Sequence, residues 1–340
     1  MSRIRKLYWF DKRNALEMIS FLNNSVNDTY INKLMFNPFL PLHNLLPLRF
    51  KFLPESYVLK DGKILKGLIT VAPTKCKQKK IEIKKLFFEE NSISDAIELV
   101  QFAVSKYKSM GAPLIKVKVD DYLPELLTAL VSKCGFTQIS YEKLWKITKF
   151  TEEAYDKKIY RTFRNSDAKA LTNLYNDSLL PHFRPLLSKE VREFKEPIFT
   201  GLTYYTEYKY VIEDFKTKAV IGCIIIQTND NENFILDIIQ SSWVDLNLTS
   251  IISFAISRIK KRKKRFALFV KSKRFINIGE KYEEIFKENQ FECVQNQVVL
   301  TNSSAKLLRN EQKEIKYTVI SDFISAKPVV SRQKLNKQSF

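Results

Sequence analysis

Three landmarks of different local character recur in this chain at one constant spacing, and that restricts it to folds built from two copies of one unit. Ala15-Leu16 stands in an amphipathic helical pattern, Asn14 to Leu22, and Ala170-Leu171 stands in a matching pattern after Asp167; 170 − 15 = 155. The glycine-led strand Gly67-Leu68-Ile69-Thr70-Val71 has a counterpart in Gly222-Cys223-Ile224-Ile225-Ile226, and 222 − 67 = 155. A helix runs into a strand-opening phenylalanine at Lys133-Cys134-Gly135-Phe136 and again at Glu288-Asn289-Gln290-Phe291, where 291 − 136 = 155. With 340 residues, 45% of them apolar, the chain can fill two cores of ordinary size.

Each half repeats one order of elements. The first half predicts a strand at 7–10 and a helix at 12–23, then a further helical stretch up to a loop holding Pro38, Pro41 and Pro47. Strands are expected at 56–59, 64–72 and 81–88, followed by a helix at 93–108, a strand at 114–119, a helix at 122–132 and a hairpin at 136–147. In the second half strands are expected near Tyr160, Tyr210, Ile224, Leu236, Leu268, Val294 and Val299, with helices at 167–179, 246–260 and 280–287. Short hairpins mixed with long crossover helices predict an α/β fold, a mixed and mostly antiparallel sheet flanked by helices in each half. The repeats divide the chain into domains at 1–150 and 156–310, joined through 148–158. Residues 311–340 are expected to form a partly disordered tail. A duplication of this kind is expected to give two separate sheets of like topology.

Composition narrows the function classes. The longest apolar run is Val220 to Ile226, far short of the ~20 residues that cross a bilayer. The basic start Met1-Ser2-Arg3-Ile4-Arg5-Lys6 lacks the apolar stretch of a secretion signal, and Cys76, Cys134, Cys223 and Cys293 are scattered. A cytoplasmic protein is expected. With His43 and His182 the only histidines and no C-x-x-C pair, no metal site is expected. The net charge of +20 suits a nucleic-acid partner, but no motif supports one, and the lysine-, asparagine- and isoleucine-rich, glycine-poor composition fits an AT-rich coding bias. The run Arg258-Ile259-Lys260-Lys261-Arg262-Lys263-Lys264-Arg265 ends a helix, where cations complement the C-terminal dipole.

The ordered set of Ala168-Lys169-Ala170-Leu171 after a strand, the strand at Gly222 and the step Gly135-Phe136 resembles the GNAT superfamily of acyl-CoA-dependent N-acyltransferases. The resemblance covers both halves and implies two GNAT-like domains in tandem. The pieces Leu53-Pro54-Glu55-Ser56-Tyr57-Val58, Leu86-Phe87-Phe88-Glu89-Glu90-Asn91 and Leu144-Trp145-Lys146 are similar to tandem GNAT-like proteins of cyanobacterial type, as are Leu180-Pro181-His182-Phe183-Arg184-Pro185 and Asn233 to Ile239.

The resemblance implies acetyl-CoA or another acyl-CoA as donor and an amine, small molecule or protein, as acceptor. Carried onto this chain, it places the donor along Ile238, Ile239, Gln240, Ser241 and Ser242, and the acceptor loop at His182 and Arg184. Asp237, alternating with apolar neighbours, is the candidate general base, with Glu82, Glu89 and His182 further candidates. The family's usual acid tyrosine would fall at Val131 and Phe286; Tyr122 and Tyr282 are the nearby tyrosines, and Tyr282 is taken as the candidate acid. The family's diphosphate loop is basic and glycine-rich, because backbone N–H groups must turn inward onto the anion. Neither crossing here has a glycine, and Glu89, Glu90 and Asp95 crowd the first. Three readings follow: an N-acyltransferase, a catalytically inactive GNAT-fold scaffold or regulator, and a basic RNA- or ribosome-associated module.

Overall fold

A computed structural model describes residues 2–8, 11, 14–15, 55–62, 64–74, 80–89, 92–196, 206–228, 230–241, 243–244 and 246–303. The elements expected between 16 and 50, the 311–340 tail and Ser242 lie outside these residues. In chain order the first repeat contains β1 (Ser2–Lys6), β2 (Glu55–Asp61), β3 (Ile64–Pro73), β4 (Ile81–Phe88), α1 (Ile93–Ser109), β5 (Leu114–Asp120), α2 (Pro124–Cys134) and β6 (Thr137–Lys146). The second contains β7 (Tyr160–Thr162), α3 (Ala168–Ser178), α4 (Arg184–Leu187), α5 (Val191–Phe194), β8 (Thr206–Glu213), β9 (Val220–Thr228), β10 (Asn233–Gln240), α6 (Leu248–Lys260), β11 (Ala267–Lys273), α7 (Gly279–Glu288) and β12 (Glu292–Ser303).

The expected pair of separate sheets is replaced by one sheet in the order β1-β2-β3-β4-β5-β12-β6-β11-β10-β9-β8-β7. The repeats trade their last strands. β12 pairs with β5 of the first repeat, β6 pairs with β11 of the second, and the two exchanged strands pair with each other. Glu142 faces Gln297 across that central pair, and 297 − 142 = 155, so equivalent residues meet on a pseudo-twofold axis. Duplication therefore survives in the topology, although the hydrogen-bonded ladder runs on without a break. Only β4–β5 and β10–β11 are parallel; the other pairs are antiparallel.

The two predicted hairpins are corrected to single strands of 10 and 12 residues. Glu142-Lys143 looks locally like a turn, but its side chains take opposite faces: Glu142 meets Lys118 on one and Lys143 meets Glu283 of α7 on the other. The opening strand also shifts, to 2–6, where alternating charged residues conceal an edge strand. Leu7 follows it as a buried residue whose N–H donates to Ser56 O.

One sheet face carries two apolar cores. Leu86, Phe88, Val117 and Val119 pack beneath α1 and α2, while Phe234, Leu236, Ile238 and Trp145 pack beneath α6 and α7. On the other face α3, α4 and α5 cover Val211, Cys223, Ile225, Ile239, Leu114 and Val299. The amphipathic spacing Leu171, Thr172, Tyr175 and Ser178 gives α3 its buried stripe. A bidentate ion pair repeats as well: Arg5 grips Asp11 at 2.7 and 2.8 Å, and Arg161 grips Asp167 at 2.8 and 3.0 Å. Asp11 also accepts from Tyr8 N–H, as Asp167 does from Arg164 N–H, all three positions being offset by 156.

The helix-to-phenylalanine step has a backbone reason. Gly135 closes α2 at φ +68°, and its counterpart Gln290 closes α7 at φ +56°. A left-handed residue ends each helix, but only the first copy is a glycine, which has no Cβ penalty there. Gln290→Gly is expected to stabilise the protein by about 0.5–1 kcal/mol, read as a higher urea midpoint at unchanged slope.

Candidate functional site

The two parallel strand pairs each meet at one end only. β4 and β5 pair over Ile81–Ile83 with Ile115–Val117, and β10 and β11 over Asn233–Leu236 with Ala267–Val270. Beyond those residues the strands part, so 237–240 has β9 on one side and no strand on the other. The backbone groups along that open edge need partners. In the first repeat the helix side chains filling behind the wedge are apolar, Leu126 and Leu130 among them. In the second, Tyr282 of α7 reaches in and donates its hydroxyl proton to Gln240 Oε1 at 2.8 Å, both side chains being buried. Gly279 makes this approach possible: a Cβ on it would lie 2.0 Å from Lys273 O.

The structure brings together Tyr282 and Gln240 from the expected set and separates others. Ile238 packs in the α6 core and Ile239 in the core of the opposite face, leaving their backbone rather than their side chains to a ligand. Ser241 N–H donates to Ile221 O at 2.9 Å. Asp237 points to the face away from Tyr282, the face of α3–α5, where Lys273 Nζ lies 2.7 Å from its Oδ1. Burial works to raise the Asp237 carboxyl, but the ammonium groups of Lys273, Lys271 and Lys189 outweigh it and hold it below the ordinary carboxylate range. His182 is exposed on a 3-10 turn with its ring 3.9 Å from that of Phe183. Arg184 turns back to cap α3, its Nε and Nη2 donating to Leu179 O and Asp177 O at 3.2 and 3.3 Å.

A row of charges crosses the middle of the sheet; its carboxylates Asp237 and Glu82 are sequence candidates, whereas Glu142 and the lysines that join them are not. On the α3–α5 face, Glu82 meets Lys116 at 3.1 Å and Lys84 at 2.5 Å. Glu142 meets Lys118 at 2.8 Å and Lys271 at 3.8 Å. Asp237 and Lys273 continue the row on β10 and β11, and Asp237 is the repeat of Glu82, since 237 − 82 = 155. Burial would raise the Glu82 and Glu142 carboxyls, yet their lysines hold both well below the usual range. The signal available in the sequence was the alternation Ile115-Lys116-Val117-Lys118-Val119, which puts both lysines on one face. A pocket of about 60 Å³ opens over this row beneath α4 and α5, with walls from both repeats.

Whether an acyl-CoA fits can be tested in two parts. The open edge of β10 offers what an extended thioester arm would need. The start of α6, where a diphosphate would sit, is already answered: Asn247 Oδ1 accepts from Ser250 N–H at 3.1 Å. Glu153, from the segment between the repeats, sets its carboxylate on Thr249 Oγ and Asn247 Nδ2 at 2.5 and 3.3 Å. The first turn of α6, Leu248-Thr249-Ser250-Ile251, contains no basic residue. At the start of α1, Asp95 lies in the first turn and Glu89 pairs with Lys66 at 3.7 Å. Unpaired backbone lies along 237–240, and the start of α6 does not suit a diphosphate.

The basic run is largely used internally. Arg258 stacks over Phe254 and Tyr210, Arg262 lies 3.9 Å from the centre of the Tyr208 ring, and Lys260 and Lys263 pair with Glu152 and Glu232. Among the described residues, no three His, Cys, Asp or Glu side chains converge to hold a metal. No described helix is long and apolar enough to cross a membrane.

Neither family models nor curated proteins match the chain. Solved structures do. A tandem GNAT protein from the clavulanic acid biosynthesis pathway, solved without AcCoA, aligns at TM-score 0.57 and 10% identity over 90% of this chain and 99% of its own. A GCN5-related N-acetyltransferase from Sphaerobacter thermophilus gives TM-score 0.57 at 8% identity over 89% and 95%. A Drosophila protein gives 0.54 at 12% identity over 88% and 98%. The fold is that of the tandem GNAT proteins, an α/β architecture with two repeats on one mixed sheet.

Proposed function

We propose that the chain is an N-acyltransferase of the GNAT kind, moving an acyl group from an acyl-CoA thioester to an amine at the wedge between β10 and β11. The observation that carries this is the Tyr282–Gln240 pair, a buried hydroxyl bonded to the side chain that ends the open stretch of β10. A bound thioester would supply an activated acyl carbonyl. The edge at 237–240 would hold its arm extended, with a backbone N–H polarising the carbonyl. Tyr282 would give its proton to the departing sulfur. Asp237, ionised beside Lys273, would take the amine proton from the α3–α5 side, and His182 would contact the acceptor at the loop that Arg184 braces. Ser241 and Ser242 would extend the donor site. We place the protein in the cytoplasm, among tandem GNAT-like proteins of cyanobacterial type on the motifs quoted above.

A second reading, an inactive scaffold or regulator, is favoured by Glu153 on the start of α6. Acetyl-CoA separates the two. Under the transferase reading, millimolar acetyl-CoA raises the melting temperature, the gain reaching about 2.7 kcal/mol at a hundredfold excess over Kd. Tyr282→Phe then lowers transfer to a panel of amines by about 100-fold. A melting curve that acetyl-CoA leaves in place assigns the scaffold role.

A further inference from the structure

The pocket under α4 and α5 contains two opposite charges that face it without meeting. Lys189 Nζ lies over the rings of Tyr175 and Phe194, 4.5 and 5.0 Å from their centres, and no described carboxylate pairs with it. Glu193, one helical turn on, accepts from Glu190 N–H at 3.0 Å through Oε1 and has no described cationic partner. The other cations of the lining are answered: Lys116 by Glu82, Lys118 by Glu142, and Lys80 by Ser188 O at 2.7 Å. Burial brings Lys189 down to about 8, with the neighbouring Lys273 charge acting in the same direction and the Asp237 and Glu193 carboxylates only partly offsetting it. Half-buried charges left apart lose hydration and recover little from each other. A ligand carrying one charge of each sign would satisfy both.

We propose that this pocket binds a small α-amino acid with an apolar side chain, its carboxylate on Lys189 and its ammonium on Glu193. The inner volume, about 60 Å³, has room for a compact head group, roughly four waters' worth. Leu114, Leu186 and Val299 offer an aliphatic wall beside it. With Glu82 and Glu142 paired to Lys116 and Lys118, Lys189 and Glu193 remain as one charge of each sign, so a ligand carrying both matches the lining better than a bare anion. Strands of the first repeat form the floor and α3–α5 of the second form the roof, so the site exists only in the tandem chain. As an assignment of the acceptor it rests on the transferase reading; as a binding site it stands alone.

Titration calorimetry of the full chain, without any CoA, tests it with L-valine, isobutylamine, 3-methylbutanoate and inorganic phosphate. Valine should bind at millimolar concentration, and each analogue lacking one charge should bind about tenfold more weakly or not at all. Lys189→Met and Glu193→Gln should each cost valine about tenfold, while Lys189→Arg retains binding. Melting curves of the three variants confirm that they fold. Absence of valine heat, phosphate or 3-methylbutanoate binding as tightly as valine, or indifference to both charge-removing variants overturns the proposal. Valine binding in a protein that ignores acetyl-CoA would remove the transferase reading and leave the pocket; the converse would remove the pocket alone.

Discussion

Replacing Glu142 by alanine is expected to destabilise the protein by about 3–5 kcal/mol, because it strands two lysines at the centre of the sheet. Lys118 and Lys271 lie 2.8 and 3.8 Å from the Glu142 carboxylate, and all three side chains are at most 13% exposed. Glu142→Gln keeps the shape and removes only the charge, copying Gln297 on the other side of the pseudo-axis; it should lose nearly as much. The pH dependence gives the sign. Burial opposes ionisation of Glu142, but Lys118, Lys271 and Lys273 hold its folded-state value well below the usual one. Its contribution is therefore complete above the unfolded value of about 4.3 and fades by about 1.4 kcal/mol per pH unit as pH falls below it. Urea melts of wild type and Glu142→Gln should converge on acidification. A gap that stays constant to about pH 3 would mean the carboxylate is not the group holding the lysines.

Gly279→Ala should be nearly as damaging, at about 3 kcal/mol and roughly 6 °C or more in melting temperature. The added methyl would fall 2.0 Å from Lys273 O and 2.9 Å from Lys273 C, both backbone atoms that no rotamer change can move. Relief requires α7 to lift off the end of β11, taking Tyr282 away from Gln240. Loss of stability should therefore come with loss of transfer, whereas Tyr282→Phe removes the hydroxyl without moving the helix. A Gly279→Ala protein that melts like wild type would show the helix start to be far more yielding than its packing implies.

Most of the strand and helix order could be read from the chain because each repeat states its pattern twice. The ranges 81–88, 93–108 and 64–72 were expected within a residue or so of what is observed. The joining of the sheets was not legible. Pairing of β6 with β11 rather than with β5 depends on partners at least 123 residues apart (269 − 146), and no local pattern encodes that choice. The candidate site was legible in part. Asp237 stood out as an acid among apolar neighbours, and Tyr282 only as a tyrosine near Phe286, the position that the resemblance picks out. The charge row escaped notice because each lysine on β5 and β11 looks like an ordinary solvated residue until both neighbouring strands are known. Lys189 and Glu193 had no motif at all; their facing one pocket is a product of the roof folding over the other repeat.

The traded strands also dictate an order of events during synthesis. β5 is complete at Asp120, yet the residue of β12 that pairs with it is Gln297, 297 − 120 = 177 positions further along the chain. Until then the first repeat has an open ladder of unpaired amides along β5 and a hydrophobic core that still lacks Val298 and Leu300. Chaperone engagement would matter most in that interval, and two nascent chains side by side could close on each other's edges before either was finished.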